Sequence, residues 1–159
     1  MNWQEVCEDT CLKDLPFKIE LNHWGKIVMS PAKNRHSVVQ GKILRHLFLL
    51  SEGGEVMPEC SIRTSDNVKV ADVAWISSSR YQQVKDEIAY SLAPEICVEV
   101  VSSSNTKAEL IDKMALYFAS GAQEVWLCSE DGSLEFHAPQ GQLARSGLFP
   151  EFPDQMEMA

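Results

Sequence analysis

Hydrophobic and polar residues alternate with a period of two along several short stretches of the chain, as in strands that bury one face. Seven stretches alternate in this way or form short apolar runs, and they predict strands at residues 17–21, 26–29, 55–63, 68–76, 95–101, 124–128 and 134–138. Turn-forming residues follow the first stretch at residues 22–25 and separate the last two at Asp131-Gly132. The pattern therefore predicts a hairpin at each of these two turns.

Two other stretches have apolar residues at helical spacing, so they predict helices. Asn34 can cap the first helix, which is predicted at residues 34–50. The second helix begins at a capping box formed by Thr106 and Glu109, and Gly121 ends it. The expected buried positions are Val39, Ile43, Leu47 and Leu50 on the first helix, and Leu110, Ile111, Met114, Ala115 and Phe118 on the second.

The order of these elements predicts an α/β (α+β) fold, with a central mixed β-sheet flanked by helices. Residues 95–128 form a strand–helix–strand unit, which favours a right-handed parallel crossover. The length of 159 residues fits one domain over residues 1–159. Within it, residues 1–16 are expected to be a short lead-in with a helical turn or two, and residues 139–159 a C-terminal extension.

Composition is that of a soluble globular protein, with 45% hydrophobic and 23% charged residues. Apolar runs fall short of the roughly 20 residues that span a bilayer, and the first residues lack the features of a signal peptide. The five cysteines are scattered and include no Cys-x-x-Cys pair, so a disulfide framework and a structural zinc site are not expected. We therefore expect a cytoplasmic protein that does not contact a membrane.

The net charge of −9 narrows the classes of nucleic-acid-binding function. An acidic chain repels phosphate, so a nonspecific coat protein for nucleic acid is excluded. A nuclease is not excluded, because cations held by clustered carboxylates bring phosphate in locally.

Two acidic residues interrupt otherwise apolar strand patterns. Asp72 lies within residues 68–76, and Glu99 lies within residues 95–101. A buried carboxylate is costly unless it is paired or bound to a cation, and two acids on neighbouring strands would suit Mg²⁺ or Mn²⁺. From the residues alone an alternative stays open, in which each acid points to solvent at a sheet edge or pairs with a surface lysine.

Other catalytic patterns are weaker. The four histidines are spread over three predicted elements, without a His-x-x-x-His pair or a Ser-His-Asp or Cys-His arrangement. A phosphate-binding glycine loop is also missing from the sequence, which excludes a P-loop nucleotide hydrolase. His36, near the start of a predicted helix, could reach the substrate side or have a capping or surface role.

The ordered acidic and basic residues resemble a known group of enzymes. The set Asp72, Glu99 in Val-Glu-Val-Val-Ser, Asp112-Lys113, Tyr117, Gly121 and Glu124-Val-Trp126 resembles the PD-(D/E)XK nuclease superfamily. Within it, the chain is similar to the bacterial family of predicted restriction endonucleases formerly catalogued as a domain of unknown function. The similarity covers about residues 17–138 and implies a restriction-endonuclease-like fold.

The resemblance also implies roles for individual residues. Asp72, Glu99 and the backbone carbonyl of Val100 would be metal ligands, and Glu20 would complete the acidic site. The superfamily lysine, expected two residues after Glu99, is replaced here by Val101, and the related family places its lysine on the following helix, at Lys113. The alternative for Lys113 is a solvated helix lysine that pairs with Glu109 four residues earlier.

The leading hypothesis is therefore a Mg²⁺- or Mn²⁺-dependent endonuclease that hydrolyses the phosphodiester bonds of DNA, with Asp72, Glu99, Lys113 and Glu20 as catalytic residues. The alternative is a catalytically inactive nuclease-fold module that binds a partner or nucleic acid, or a regulatory subunit. A homodimer would bring two active sites to a duplex and enlarge the contact surface.

Overall fold

The computed structural model of the chain describes residues 1–158, which form four helices and eight strands. The helices are α1 (Trp3–Glu8), α2 (Asn34–Leu50), α3 (Ser78–Val84) and α4 (Lys107–Ala119). The strands are β1 (Phe17–Leu21), β2 (Ile27–Pro31), β3 (Glu55–Thr64), β4 (Asn67–Ile76), β5 (Ile96–Val101), β6 (Glu124–Ser129), β7 (Leu134–Ala138) and β8 (Gly141–Leu143).

The strands form a mixed six-stranded sheet and a separate hairpin. The sheet has the order β3-β4-β5-β6-β7-β8, and the hairpin pairs β1 with β2. Strands β5 and β6 are parallel and are joined through α4, whereas the other neighbours in the sheet are antiparallel. The structure confirms the predicted mixed sheet flanked by helices and the parallel crossover over residues 95–128.

Two hydrophobic clusters fill the two faces of the sheet. Strand β5 supplies both, because its side chains alternate: Val98 packs with Leu47 of α2, whereas Cys97 packs with Tyr117 of α4. Trp126 is fully buried in the first of these clusters. The sheet is therefore a central layer with α2 on one face and α4 on the other.

The two predicted helices are confirmed, with corrections at individual positions. Lys33 is the residue before α2, and Asn34 is already helical, so its side chain does not cap the helix as predicted. On α4 the predicted apolar face is rotated, because Ile111 is 51% exposed while Tyr117 is buried. The capping box of Thr106 and Glu109 is present with both of its hydrogen bonds.

The C-terminal residues contribute to the core. Phe152 and Met156 are buried in the cluster that contains α2, and Phe152 packs 4.6 Å from the ring of Trp126. The loop before these two residues is held by buried Glu124, whose carboxylate accepts hydrogen bonds from Ser146 Oγ at 2.6 Å and from the Gly147 amide at 2.7 Å. The segment expected to be an extension is therefore packed against the sheet.

Within residues 1–158, every helix is too short or too polar to cross a bilayer.

Candidate active site

The site lies where β4 and β5 separate. Their ladder pairs Val73 with Val98 and continues towards Trp75 and Ile96. On the other side of Val73, the Asp72 carboxylate enters between the strands, and its Oδ2 accepts a hydrogen bond from the Val100 amide at 2.8 Å. A side chain thus replaces the backbone partner of Val100, which brings a buried acid between two central strands.

Glu99 on β5 presents its two carboxylate oxygens to different partners. Its Oε1 accepts a hydrogen bond from the Tyr117 hydroxyl at 2.6 Å and lies 3.1 Å from Lys113 Nζ. Its Oε2 lies 3.1 Å from Lys18 Nζ. Because Lys113 and Tyr117 are four residues apart on α4, one face of this helix directs both side chains to Glu99.

Glu20 reaches the same cluster from the hairpin. Its Oε2 accepts a hydrogen bond from the Val70 amide at 2.7 Å and lies 2.9 Å from Lys113 Nζ. The neighbours Ile19 and Leu21 pack instead with the cluster of α1 and the start of β4. Alternation along β1 therefore buries two apolar residues on one face and directs Glu20 to the acids on the other.

Lys18 is a member of the site that the sequence did not indicate. It lies two residues before Glu20, so both side chains leave the same face of β1. Its Nζ lies 3.1 Å from Asp72 Oδ1 and 3.1 Å from Glu99 Oε2. The alternation of residues 17–21 placed Lys18 beside Glu20, but only the folded chain shows that this face meets β4 and β5.

Helix α2 contributes two further polar contacts to Asp72. His36 Nε2 lies 3.4 Å from Asp72 Oδ1, and Gln40 Nε2 donates a hydrogen bond to the Asp72 backbone carbonyl at 2.7 Å. The side chain of His36 therefore faces Asp72, and a role on the substrate side stays a prediction. Because His36 and Gln40 are four residues apart, the first turns of α2 align both with β4.

Burial raises the pKa values of the two central acids, Asp72 and Glu99, whereas the neighbouring lysines lower them. Burial raises the pKa of Asp72, but the His36 hydrogen bond, Lys18 and the Val100 amide outweigh it and hold that pKa well below its usual range. Burial also dominates at Glu99, where the pKa is raised although Lys113 and Lys18 oppose the shift. The two acids therefore differ in electrostatic environment: one is a firmly held anion, and the other takes up a proton more readily.

The lysine in contact with both acids is held as a cation. Burial by itself lowers the pKa of Lys18, but Glu99, Asp72 and Glu20 outweigh it and raise that pKa well above its usual value. For Glu20, burial opposes ionisation, yet Lys113 and Lys18 lower its pKa below the usual range. The cluster is thus a network of alternating charges in which each ion compensates the burial of another.

The structure brings together every side chain that the sequence proposed for the site. Asp72, Glu99, Glu20 and Lys113 all belong to the network, and Val100 contributes its amide. Lys113 contacts Glu20 of β1 and Glu99 of β5, so it interacts with these two buried acids and does not form the solvated pair with Glu109. The roles of these residues in binding a metal or in catalysis stay predictions.

The chemistry of the oxygen donors fits a hard divalent cation. Asp72 Oδ1 and Glu99 Oε2 come from different strands and converge on one positive group, the Lys18 ammonium. Carboxylate oxygens are the ligands that Mg²⁺ and Mn²⁺ prefer. Within residues 1–158, however, no three His, Cys, Asp or Glu side chains are arranged as a complete metal-binding group.

The chain is similar to a known family over nearly all of its length and, in fold, to a solved structure. The model of the Uma2 family, described as "Putative restriction endonuclease", matches residues 4–157. The chain is similar in structure to a "putative nuclease belonging to DUF820" from Anabaena variabilis, with 18% identity, a TM-score of 0.60, and coverage of 73% of this chain and 69% of that one. This similarity shows that the two proteins share a fold.

A second solved structure is less similar. It is a DrdV–DNA complex, with 13% identity and a TM-score of 0.41, and the match covers 76% of this chain but 14% of that one. A comparison with curated proteins found no match.

Proposed function

The chain belongs to the Uma2 family of restriction-endonuclease-like proteins, and on that premise we propose that it is a metal-dependent endonuclease that hydrolyses phosphodiester bonds of DNA. The observation that carries this proposal is the convergence of Asp72, Glu99 and Glu20 with Lys113. These residues lie on four different elements. Lys113 Nζ joins two of the acids, since it lies 2.9 Å from Glu20 Oε2 and 3.1 Å from Glu99 Oε1.

Asp72, Glu99 and the Val100 carbonyl are the groups that would hold the divalent cation. The Val100 amide faces Asp72, and in an extended strand the amide and carbonyl of one residue point to the same side. The Val100 carbonyl is therefore on the side that a ligand role requires. When bound, the cation would supply charge stabilisation at phosphorus and lower the pKa of a water molecule.

Residues of the chain would perform the remaining tasks. Lys113 carries a positive charge close to both Glu20 and Glu99, where it could stabilise negative charge that develops on the phosphate. Tyr117 is a positioning residue, because its hydroxyl fixes one oxygen of Glu99 while the other oxygen contacts Lys18. Glu20 positions Lys113 through its 2.9 Å ion pair.

DNA is proposed as the substrate because of the family to which the chain belongs. The net charge of −9 predicts weak affinity for DNA in the absence of a divalent cation. A homodimer with one site for each strand of a duplex is part of the same proposal.

Cleavage assays with site variants test the proposal. Supercoiled plasmid and single-stranded DNA are incubated with wild type in Mg²⁺, Mn²⁺ or EDTA, beside Asp72→Ala, Glu99→Ala and Lys113→Ala. Asp86→Ala, which removes an exposed acid, is the matched control, and circular dichroism confirms that each variant is folded.

The expected result is metal-dependent cleavage by wild type and Asp86→Ala, and its loss in the three site variants. Cleavage that survives in both acid variants would assign the activity to a contaminant or to another site. A wild type that is inert with both metals and both substrates would contradict the enzymatic proposal and favour a nuclease-fold module that binds without cleaving.

A further inference from the structure

Lys18 lies at the point where the two central acids converge. Its Nζ is 3.1 Å from Asp72 Oδ1 and also 3.1 Å from Glu99 Oε2. These oxygens belong to strands that have separated, so no backbone ladder holds them together at this point. One ammonium group therefore compensates two buried carboxylates, with 14% of its side chain exposed.

We propose that Lys18 occupies the cation position between Asp72 and Glu99, so that a divalent cation binds there only when the Lys18 ammonium leaves. The inference rests on the proposed function, because it concerns the same two acids. It assigns Lys18 a specific task in that function, namely to set the affinity of the site for the metal.

The two lysines of the network differ in a way that identifies the one to be displaced. Lys113 contacts Oε1 of Glu99 and Oε2 of Glu20, so it lies on the far side of the Glu99 carboxylate. Lys18 contacts Oε2 of Glu99 and Oδ1 of Asp72, and these two acids are the side chains that would hold the cation. Metal binding therefore competes with Lys18 and leaves the contacts of Lys113 intact.

The position of Lys18 on the hairpin permits its departure. It lies near the start of β1, next to Phe17, which is 40% exposed, and β1 pairs with β2 outside the six-stranded sheet. Lysine carries a compact charge on a flexible stem, so its ammonium can move to solvent without a change in the strand. Its burial is conditional on the acids, which a divalent cation would compensate instead.

Substitution of Lys18 by methionine tests the competition directly. Lys18→Met keeps an apolar stem of similar length but leaves Asp72 and Glu99 without their shared cation. We expect its affinity for Mn²⁺ or Ca²⁺ to exceed that of wild type by about tenfold or more. The reason is that the Lys18 ammonium, 3.1 Å from each carboxylate, no longer competes with the metal for them. Isothermal titration calorimetry and metal-dependent thermal shift measure this change in the absence of DNA.

Three further variants serve as controls. Lys113→Met removes the neighbouring buried lysine and is expected to change the metal affinity less than Lys18→Met does. Lys33→Met, at an exposed position, should match wild type. Lys18→Met with Asp72→Asn should lose the gain, because one of the two metal ligands is then missing.

Lys18→Met could unfold without metal, so a second measurement uses wild type. Lysine acetylation by an N-hydroxysuccinimide ester is followed by mass spectrometry with and without saturating Mn²⁺. The proposal predicts that Mn²⁺ raises the acetylation rate of Lys18 several-fold and leaves that of Lys33 unchanged. A Lys18→Met protein that folds only when Mn²⁺ is added would support the same conclusion.

Two results would overturn the inference. The first is a folded Lys18→Met protein that binds Mn²⁺ no more tightly than wild type, and the second is a Lys18 acetylation rate that saturating Mn²⁺ does not change. If wild type still binds metal through Asp72 and still cleaves DNA, only the inference fails. If no variant binds metal and wild type does not cleave, the proposed function fails with it.

Discussion

Lys113 on α4 and Glu99 on β5 meet at 3.1 Å, between Nζ and Oε1, although they are fourteen residues apart in the chain. The α4 segment crosses one face of the sheet between β5 and β6, so its inward residues lie over the strand that carries Glu99. A lysine on this helix can therefore reach the acid that a lysine two residues along the strand would reach. Val101, at that strand position, packs instead with the hydrophobic cluster that contains Cys97 and Tyr117.

Loss of Lys113 should remove cleavage without unfolding the protein. We expect Lys113→Met to lower the cleavage rate by about a hundredfold or more, a loss typical of removing one charge-stabilising group. Lys107→Met is the matched control, because Lys107 is an exposed residue in the first turn of the same helix. Initial rates on supercoiled plasmid measure both, and equal rates for the two variants would contradict the role of Lys113.

The hydroxyl of Tyr117 should contribute to stability as well as to the site. Tyr117→Phe removes the hydrogen bond to buried Glu99 and leaves one carboxylate oxygen with fewer partners. We expect the free energy of unfolding to fall by about 1.5–3 kcal/mol, the range for a hydrogen bond to a charged group. Tyr81→Phe, on partly exposed α3, is the control for loss of a hydroxyl, and urea unfolding that shows equal stabilities for the two would refute the prediction.

The packing of α2 gives a prediction that is independent of the chemistry. Leu47 is fully buried against the sheet, whereas Leu49 on the same helix is 67% exposed. Leu47→Ala should lower the free energy of unfolding by about 2–5 kcal/mol because it leaves a cavity. Leu49→Ala should change it by less than about 0.5 kcal/mol, and a similar loss for both variants would mean that the buried face of α2 is wrongly assigned.

The contact between His36 and Asp72 predicts a pH dependence of stability in the metal-free protein. The Asp72 hydrogen bond raises the pKa of His36 above its usual value of 6.5, although burial opposes the shift. This contribution to the free energy of unfolding is therefore fully present below about pH 6.5, and it is lost as the pH rises through the raised pKa of the folded state. Urea unfolding in EDTA between about pH 5.5 and 8.5 measures it.

His36→Asn should lack that part of the pH dependence. The stability difference between wild type and His36→Asn is expected to shrink as the pH rises across this range. His46→Asn is the control, since the ring of His46 bonds the backbone carbonyl of Lys42 and not an acid. A difference between wild type and His36→Asn that stays constant with pH would show that the ion pair does not form in solution.

The sequence predicted the elements that local periodicity determines. The bounds of α2 and β7 agree with the prediction, and Thr106 and Glu109 form the expected capping box, because these features depend on residues close together in the chain. The apolar setting of Asp72 and Glu99 likewise indicated two buried acids. The pattern did not predict correctly which face of α4 is buried, because Tyr117 is buried and Ile111 is exposed.

The remainder depends on contacts between distant parts of the chain. Lys18 meets Asp72 and Glu99 across separations of 54 and 81 residues, which no local pattern records. Phe152 and Met156 pack into the core although the C-terminal residues have no helical or strand periodicity. Local pattern thus gives the strands and helices, and tertiary packing decides which charges share the site.

The proposed metal site is tested by comparing Mn²⁺-dependent nicking of supercoiled plasmid by wild type and by Asp72→Asn, purified in parallel. The asparagine keeps the size of the side chain but removes the charge that the proposed metal site requires. We expect nicking by wild type that EDTA abolishes, and a rate at least about a hundredfold lower for folded Asp72→Asn. Equal nicking by the two proteins would contradict the assignment of Asp72 and Glu99 as a metal-dependent nuclease site.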